Sequence, residues 1–267
     1  MAKRRKNTLS KNKKRRRFFS SIVFLILIIT ATVLIINLFF KIETIEVIKK
    51  GSLEYTNNEI ITVSGIQVGK TIFSFKSDEA VSNLIVKLPF IGSAKVERKL
   101  PRKVKITVSE MTEYASIPYK GGFLIVGKDL KVLSDASRAP LNTMSIYGLT
   151  PSSFVTGSRL KTTDETTPET LGYLFDEISR IGWFDKVTAV NIRDKLNIML
   201  VYKDCILVTV GTQNNLDYKF DLMKEIIENR LDEGFVGTLD ISVSGQARST
   251  PGEFKYPMGF FDIGDED

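Results

Sequence analysis

The chain of 267 residues contains no histidine and a single cysteine, Cys205. Without His the commonest general base and the commonest zinc ligand are missing. One cysteine excludes an internal disulfide and every Cys-cluster metal site. Counting alone therefore removes Ser-His-Asp, Cys-His and His-metal chemistry. Carboxylate catalysis, Ser-Lys catalysis or no catalysis remain. Apolar residues make up 43% and aromatics 10%, enough for an ordinary folded core.

Acidic residues are wholly absent from residues 1–17, which hold ten Lys or Arg. The net charge of +7 is thus a misleading average, because outside that stretch 28 basic residues face 31 acidic ones. A basic tail precedes Phe18–Phe40, an uncharged run of 23 residues, of which seventeen are Leu, Ile, Val or Phe. At about 1.5 Å per residue a helix of this length crosses a hydrocarbon core of about 30 Å. Only Lys41, Lys49 and Lys50 follow closely on its far side. The positive-inside rule then keeps the N-terminus in the cytoplasm and sends residues 41–267 outside. No Ala-x-Ala-like site closes the run, so an uncleaved anchor is expected rather than a signal peptide. The basic run has no interleaved aromatics and abuts the span, which favours topology control and anionic lipid over nucleic acid.

After the span the pattern reads β-α-α-β-β over about 70 residues. Ile42–Ile48 alternates as a strand. Thr56-Asn57-Asn58 caps a short helix carrying Ile60, Ile61 and Val63. Ser77 is placed to cap a second helix, with Ala80, Val81, Leu84, Ile85 and Leu88 at helical spacing and Pro89 at its end. Ser93–Lys99 and Lys103–Ser109 follow as strands, with Pro101-Arg102 between them and Val104, Ile106 and Val108 on one face.

Further on, strands are expected at Tyr114–Ile117, Phe123–Val126, Lys131–Leu133 and Met144–Tyr147, with Gly121-Gly122 as a hairpin turn. Residues 150–168 read as a loop. Thr167 is expected to cap a helix with Pro168 at its first position and an apolar stripe of Leu171, Leu174, Phe175, Ile178 and Ile181. A meander follows over Val187–Ile192, Leu196–Tyr202 and Cys205–Val210, turning at Lys203-Asp204. Then come a helix near Leu216–Leu231 and a strand over Thr238–Ser244. Residues 246–267 close with Asp262, Asp265, Glu266 and Asp267 and read as a mobile tail.

Candidate chemistry is thin. Ser-x-x-Lys, the nucleophile pattern of penicillin-binding enzymes, occurs at Ser10/Lys13 and Ser158/Lys161. With 21 Ser and 25 Lys, about two matches arise by chance, and the Ser-Asp-Asn and Lys-Thr-Gly partner motifs are missing. The adjacent acids Asp164/Glu165, Asp176/Glu177 and Asp232/Glu233 point in different directions on helices and strands and read as solvated surface. Gly65, Gly69 and Lys70 fail the phosphate-loop spacing. Cys205 reads as a small apolar filler. No catalytic, cofactor-binding or metal residue is assigned. The strand Thr238–Ser244 is the feature with functional promise, since it lies near the end of the fold and would offer unpaired N–H and C=O groups if it formed a sheet edge.

The run Leu88-Pro-Phe-Ile-Gly-Ser-Ala-Lys-Val-Glu-Arg-Lys-Leu-Pro101, followed by Val104–Glu110, resembles the POTRA signature of the FtsQ/DivIB cell-division family. Ser64-Gly-Ile and Gly69-Lys-Thr-Ile-Phe73 sit where that family carries a related stretch, and Ile146-Tyr-Gly-Leu149 resembles the segment opening its central β domain. The resemblance extends to the order of parts, so the expected fold is α+β: a basic cytoplasmic tail (1–17), one transmembrane helix (18–40), a POTRA domain (41–111), a β-rich domain with two helices (112–245) and a flexible acidic tail (246–267). It implies a non-catalytic scaffold of the septum with FtsL-type and FtsB/DivIC-type coiled-coil partners, and through them the septal peptidoglycan synthase. By position it implicates Leu239, Asp240, Ile241, Ser242, Val243, Ser244 and Gly245 in receiving the FtsB/DivIC-type partner. Two other classes stay open: a membrane-anchored wall hydrolase using carboxylates, and a POTRA-type chaperone or export factor.

Overall fold

A computed structural model describes residues 6–262. It begins with α1 (Lys6–Phe39), which runs unbroken from the basic tail into the apolar stretch. Phe18–Phe39 is long and apolar enough to cross a membrane. Three of its polar members bond back onto the helix: Thr30 Oγ1 donates to Ile26 O at 2.6 Å, Thr32 Oγ1 to Ile28 O at 2.8 Å and Asn37 Nδ2 to Val33 O at 2.8 Å. Side chains satisfied in this way cost little in hydrocarbon. Lys3, Arg4, Arg5, Asp265, Glu266 and Asp267 lie outside the described residues.

The chain divides into two compact units, one of residues up to 84 with 94–108, the other of 85–93 with 109 onward. The elements that follow α1 are β1 (Thr44–Lys50), α2 (Asn57–Ser64), α3 (Ser77–Lys87), β2 (Ile91–Lys99) and β3 (Lys103–Glu110). The strands form a three-stranded sheet in the order β1-β3-β2. β3 takes the central place because its alternation is the cleanest: Val104, Ile106 and Val108 are all fully buried. Thr56 caps α2 with a full capping box, its Oγ1 accepting from Glu59 N at 3.2 Å while Glu59 Oε2 accepts from Thr56 N at 2.7 Å. Gly65 ends that helix at φ +74°. α3 starts at Ser77 itself, so Ser77 is its first residue rather than its cap.

The second unit is built on a nine-stranded sheet. Its strands are β4 (Ala115–Tyr119), β5 (Gly122–Val126), β6 (Val132–Ala136) and β7 (Met144–Tyr147), then, beyond a two-stranded insertion, β10 (Val187–Asn191), β11 (Ile198–Tyr202), β12 (Ile206–Gly211), β13 (Gly237–Asp240) and β14 (Arg248–Pro251). The insertion pairs β8 (Pro151–Ser153) with β9 (Lys161–Thr162), where the composition of residues 150–168 suggests only loop. Across the large sheet the order is β14-β13-β12-β11-β10-β7-β4-β5-β6. The β4–β5 turn is centred on Lys120 (φ +45°) and Gly121 (φ +80°), one residue earlier than expected, and Gly122 pairs with Tyr119. Lys203 and Asp204, at φ +48° and +53°, make the same kind of two-residue turn between β11 and β12.

Two helices, α4 (Thr167–Arg180) and α5 (Leu216–Asn229), supply the apolar stripes of the main core. Leu171, Leu174, Phe175 and Ile178 of α4 and Phe220 and Met223 of α5 are buried there with Trp183. The cap of α4 is Thr166, not Thr167, and it makes no side-chain capping bond. Arg180 ties the helices together, its guanidinium donating to Glu177 and Asp221 at 2.7 Å each.

The opposite face of the sheet is covered as well. Ile198, Leu200 and Tyr202 of β11 enter the main core, while Met199 and Val201 belong to a second cluster with Ala189, Leu207 and Phe260. Phe254 and Tyr256 pack on it. Asn191 Nδ2 donates to Phe260 O at 2.7 Å, and Arg193 Nη1 to Asp262 Oδ2 at 2.5 Å. Residues 246–262 are therefore a folded strand and strap, where the sequence suggests a mobile tail.

Two measurements check this architecture. Thr56→Ala removes one half of the capping box and is expected to cost about 1 kcal/mol in thermal or denaturant unfolding of the first unit. Phe260→Ala, at a side chain only 1% exposed, is expected to lose about 3–5 kcal/mol of local packing. Amide exchange over residues 252–262 should then rise steeply while β10–β12 stay protected.

Candidate partner-binding edge

The seven residues singled out from the sequence fall at the end of β13 and in the turn after it. Leu239 is buried in the main core, and Asp240 ends the strand. Ile241 is also buried, and its N–H donates to Thr209 O at 3.0 Å. Asp240 Oδ1 then accepts from Ser242 N at 2.9 Å, and Val243 O accepts from Gln246 N at 3.1 Å. The first of these bonds bends the chain out of extended geometry after four strand residues instead of seven. Gly245, at φ +76°, completes the turn. Val243 is 56% exposed at its tip.

β13 is not a sheet edge. It pairs in parallel with β12 on one side (Leu207↔Thr238, Val208↔Leu239) and antiparallel with β14 on the other (Thr238↔Thr250, Leu239↔Ser249, Asp240↔Arg248). The edge is β14, whose four residues are all exposed. Gly252 N donates to Val236 O at 3.1 Å. Antiparallel ladders alternate, so this bond sets the phase. Thr250 and Arg248 turn their N–H and C=O groups toward β13, and Ser249 turns both of its own outward. Pro251, which has no N–H, falls in the same outward phase as Ser249, where an edge strand tolerates proline.

The other end of the sheet is different. At β6, Val132 N donates to Ser158 O at 2.9 Å and Val132 O accepts from Gly157 N at 2.8 Å, so a loop already covers the start of that edge. Among the described residues no strand covers β14.

Two features hold β14 in place. Lys219 of α5 is buried and donates to Val210 O at 2.9 Å and Thr212 O at 2.8 Å, fixing the end of β12, on which β13 rests. Burial holds its ammonium below the usual lysine range. Gly237 lets the hairpin close: its φ is +154°, and a Cβ there would stand 2.2 Å from Thr250 O.

The other candidates are accounted for by ordinary contacts. Ser158 Oγ donates to Val155 O at 2.6 Å, not to Lys161. The side chains of Ser10 and Lys13 lie outside the described ones. Asp176 pairs with Lys128 at 3.2 Å, and Glu177 with Arg180. Asp164 is held well below the usual carboxylate range, first by Lys195 and then by the Thr166 N–H. Cys205 is half-buried, and burial pushes its thiol up. Among the described residues no three His, Cys, Asp or Glu side chains gather as a metal site would require.

An apolar N-terminal helix, a β-α-α-β-β unit and a β-rich C-terminal region define a class of POTRA protein, and comparison with known proteins agrees on the POTRA domain. The family model for the POTRA domain, FtsQ-type, matches residues 40–111. The cell division protein DivIB of Clostridium botulinum strain Hall is 28% identical over 212 residues, 78% of this chain and 80% of the relative. DivIB of C. botulinum strain Loch Maree is 27% identical over the same length, and that of Clostridium tetani strain Massachusetts is 26% identical over 205 residues, 74% of this chain and 76% of its own. A solved structure, the major extracytoplasmic domain of the trans isomer of DivIB from Geobacillus stearothermophilus, matches over 46% of this chain and 99% of its own at 9% identity. Its TM-score of 0.29 is too low to bear on the edge described above. The chain thus carries a POTRA domain of the FtsQ type and is similar to DivIB cell-division proteins over about three quarters of its length.

Gly237→Ala is expected to push β14 off β13 at a cost of roughly 1–3 kcal/mol. Amide exchange at Arg248 and Thr250 would report it, rising at least tenfold while β11 and β12 keep their protection.

Proposed function

We propose that this protein is a non-catalytic scaffold of the division septum that binds a partner by strand addition at β14. The observation that carries the reading is the outward-facing N–H and C=O of Ser249, on an edge that no strand covers among the described residues. An added strand gains main-chain hydrogen bonds there without disturbing the core. Pro251 sets one limit of the site, since it has no N–H to donate. The segment Leu239–Gly245 takes part as the base and turn of the hairpin: Leu239 and Asp240 hold β14 in register, and Ser242–Gly245 form the rim beside it.

The family supplies the partners of the proposal. They are the FtsL-type and FtsB/DivIC-type coiled-coil proteins, and through them the septal peptidoglycan synthase. The basic tail keeps the N-terminus in the cytoplasm and puts both folded units outside. The span confines the protein to two dimensions and raises the effective concentration of membrane partners. Regulation then works through assembly and shifted populations, with no bond made or broken by this chain.

The test uses a photo-crosslinking residue at position 249 in dividing cells. It is expected to capture a coiled-coil division protein. Ser249→Pro removes an outward N–H and no bond to β13, and its fixed φ suits an edge strand, so capture from position 243, on the rim, should fall at least tenfold while the purified chain unfolds as before. Undiminished capture in a normally folded Ser249→Pro protein would contradict strand addition. Turnover of purified peptidoglycan by residues 41–267 would contradict the scaffold reading as a whole.

A further inference from the structure

The end of α1 is not joined to the first unit by a loose linker. Two loops clasp it. In the loop between α2 and α3, Ile72 N donates to Phe40 O, Ile42 N to Lys70 O and Gly69 N to Ile42 O, each at 2.8 Å. Thr71 Oγ1 reaches Asn37 Oδ1 at 3.0 Å, inside the apolar stretch itself. In the β2–β3 turn, Arg102 Nε donates to Phe39 O at 3.0 Å, its guanidinium lies 5.4 Å from the Phe39 ring centre, and it pairs with Glu43. Glu43 N returns a bond to Arg102 O at 2.8 Å.

These bonds fix depth. Asn37 stands three residues before Phe40, or about 4.5 Å along a helix. Two loops that bond to Asn37 and Phe40, and to Phe39, therefore lie at the boundary where an apolar span meets water. At that level the two loops expose large apolar side chains: Val68 is 62% exposed, Phe73 54% and Leu100 59%. The Phe73 ring lies 5.5 Å from that of Phe40, continuing the aromatic end of the helix outward. Lys41 and Lys70 are exposed beside them. The acid of the clasp, Glu43, is taken up by Arg102. Scattered exposed apolar residues need no explanation, but aromatic and aliphatic side chains beside cations at the end of a span have the composition of a headgroup layer's anchors.

We propose that the loops around Val68–Phe73 and Leu100–Arg102 form a collar seated in the lipid headgroup layer, so that the first unit is held at a set height and tilt against the bilayer. The proposal rests on reading Phe18–Phe39 as a membrane span. Its occupant is the lipid surface, because continuity with the span brings lipid to this face. Val68, Phe73 and Leu100 enter the boundary region while Lys41 and Lys70 meet anionic headgroups.

The test uses the full chain in nanodiscs of phosphatidylcholine and phosphatidylglycerol at three to one, in a Cys205→Ser background. An environment-sensitive NBD label is placed singly through Val68→Cys, Phe73→Cys, Phe24→Cys within the span, and Lys50→Cys at the far end of β1. Lipids carrying a nitroxide near the headgroup are then added. The expected result is a twofold or greater loss of emission at positions 68 and 73, with position 50 unchanged; position 24 is quenched by lipids carrying the nitroxide deep in the acyl chain. Two collar sites guard against a packing defect at Phe73, which touches Phe40. If position 24 is quenched and both collar sites behave like position 50, the collar is overturned and the span stands. If position 24 is not quenched, the span reading fails and the collar with it.

Discussion

The hairpin of β13 and β14 is the structure on which the functional reading depends. A sheet edge recruits a strand only if its outward N–H and C=O groups are held in line, and four residues of β14 are too few to stay extended alone. They are held by β13, and β13 by its parallel pairing with β12. Gly237 permits the close approach, and Ile241 anchors the far end in the core. The strap that leaves β14 at Gly252 ends with Phe260 buried against the sheet's second face. The edge is therefore pinned at both ends by apolar burial, while its exposed residues remain free of any duty to the core.

The other end of the protein obeys a different constraint. Backbone groups that leave a helix end need partners, and the loops around Lys70 and Arg102 supply them to residues 39–42. The first unit is thereby coupled to the span without a flexible joint. On the scaffold reading proposed above, such coupling turns a position in the membrane into a position above it.

The fold was legible wherever one face of an element is wet. β3, α4 and α5 could be read because Val104, Ile106 and Val108, or Leu171, Leu174, Phe175 and Ile178, repeat at the period of their element. The C-terminal strap carries no such signal, because its aromatic residues, Phe254, Tyr256 and Phe260, follow no period of their own. A signal was present elsewhere. Ile198–Tyr202 and Ile206–Val210 are apolar on both faces, which in an antiparallel meander requires a second cover, and only the C-terminal segment was left to supply it. The sequence pattern points to β13 rather than β14 as the edge for a related reason. The period-two pattern of Thr238–Ser244 continues past Asp240, but the Asp240 side chain binds Ser242 N and turns the chain there. Arg248–Pro251, polar and ended by proline, reads as a loop because an edge strand exposed on both faces carries no apolar pattern. The clasp of the helix end has no sequence pattern, because its two loops, around Lys70 and around Arg102, lie about thirty residues apart and both bond to residues 37–43.

The most direct measurement is residue-resolved amide exchange at β14, with and without the extracytoplasmic segment of an FtsB/DivIC-type partner. The Arg248 and Thr250 amides already bond to β13, so their exchange should change little. The Ser249 amide should go from fast exchange to strong protection on binding. A partner that binds while Ser249 continues to exchange as in the free protein would show that the edge of this sheet is not where the protein holds its neighbour.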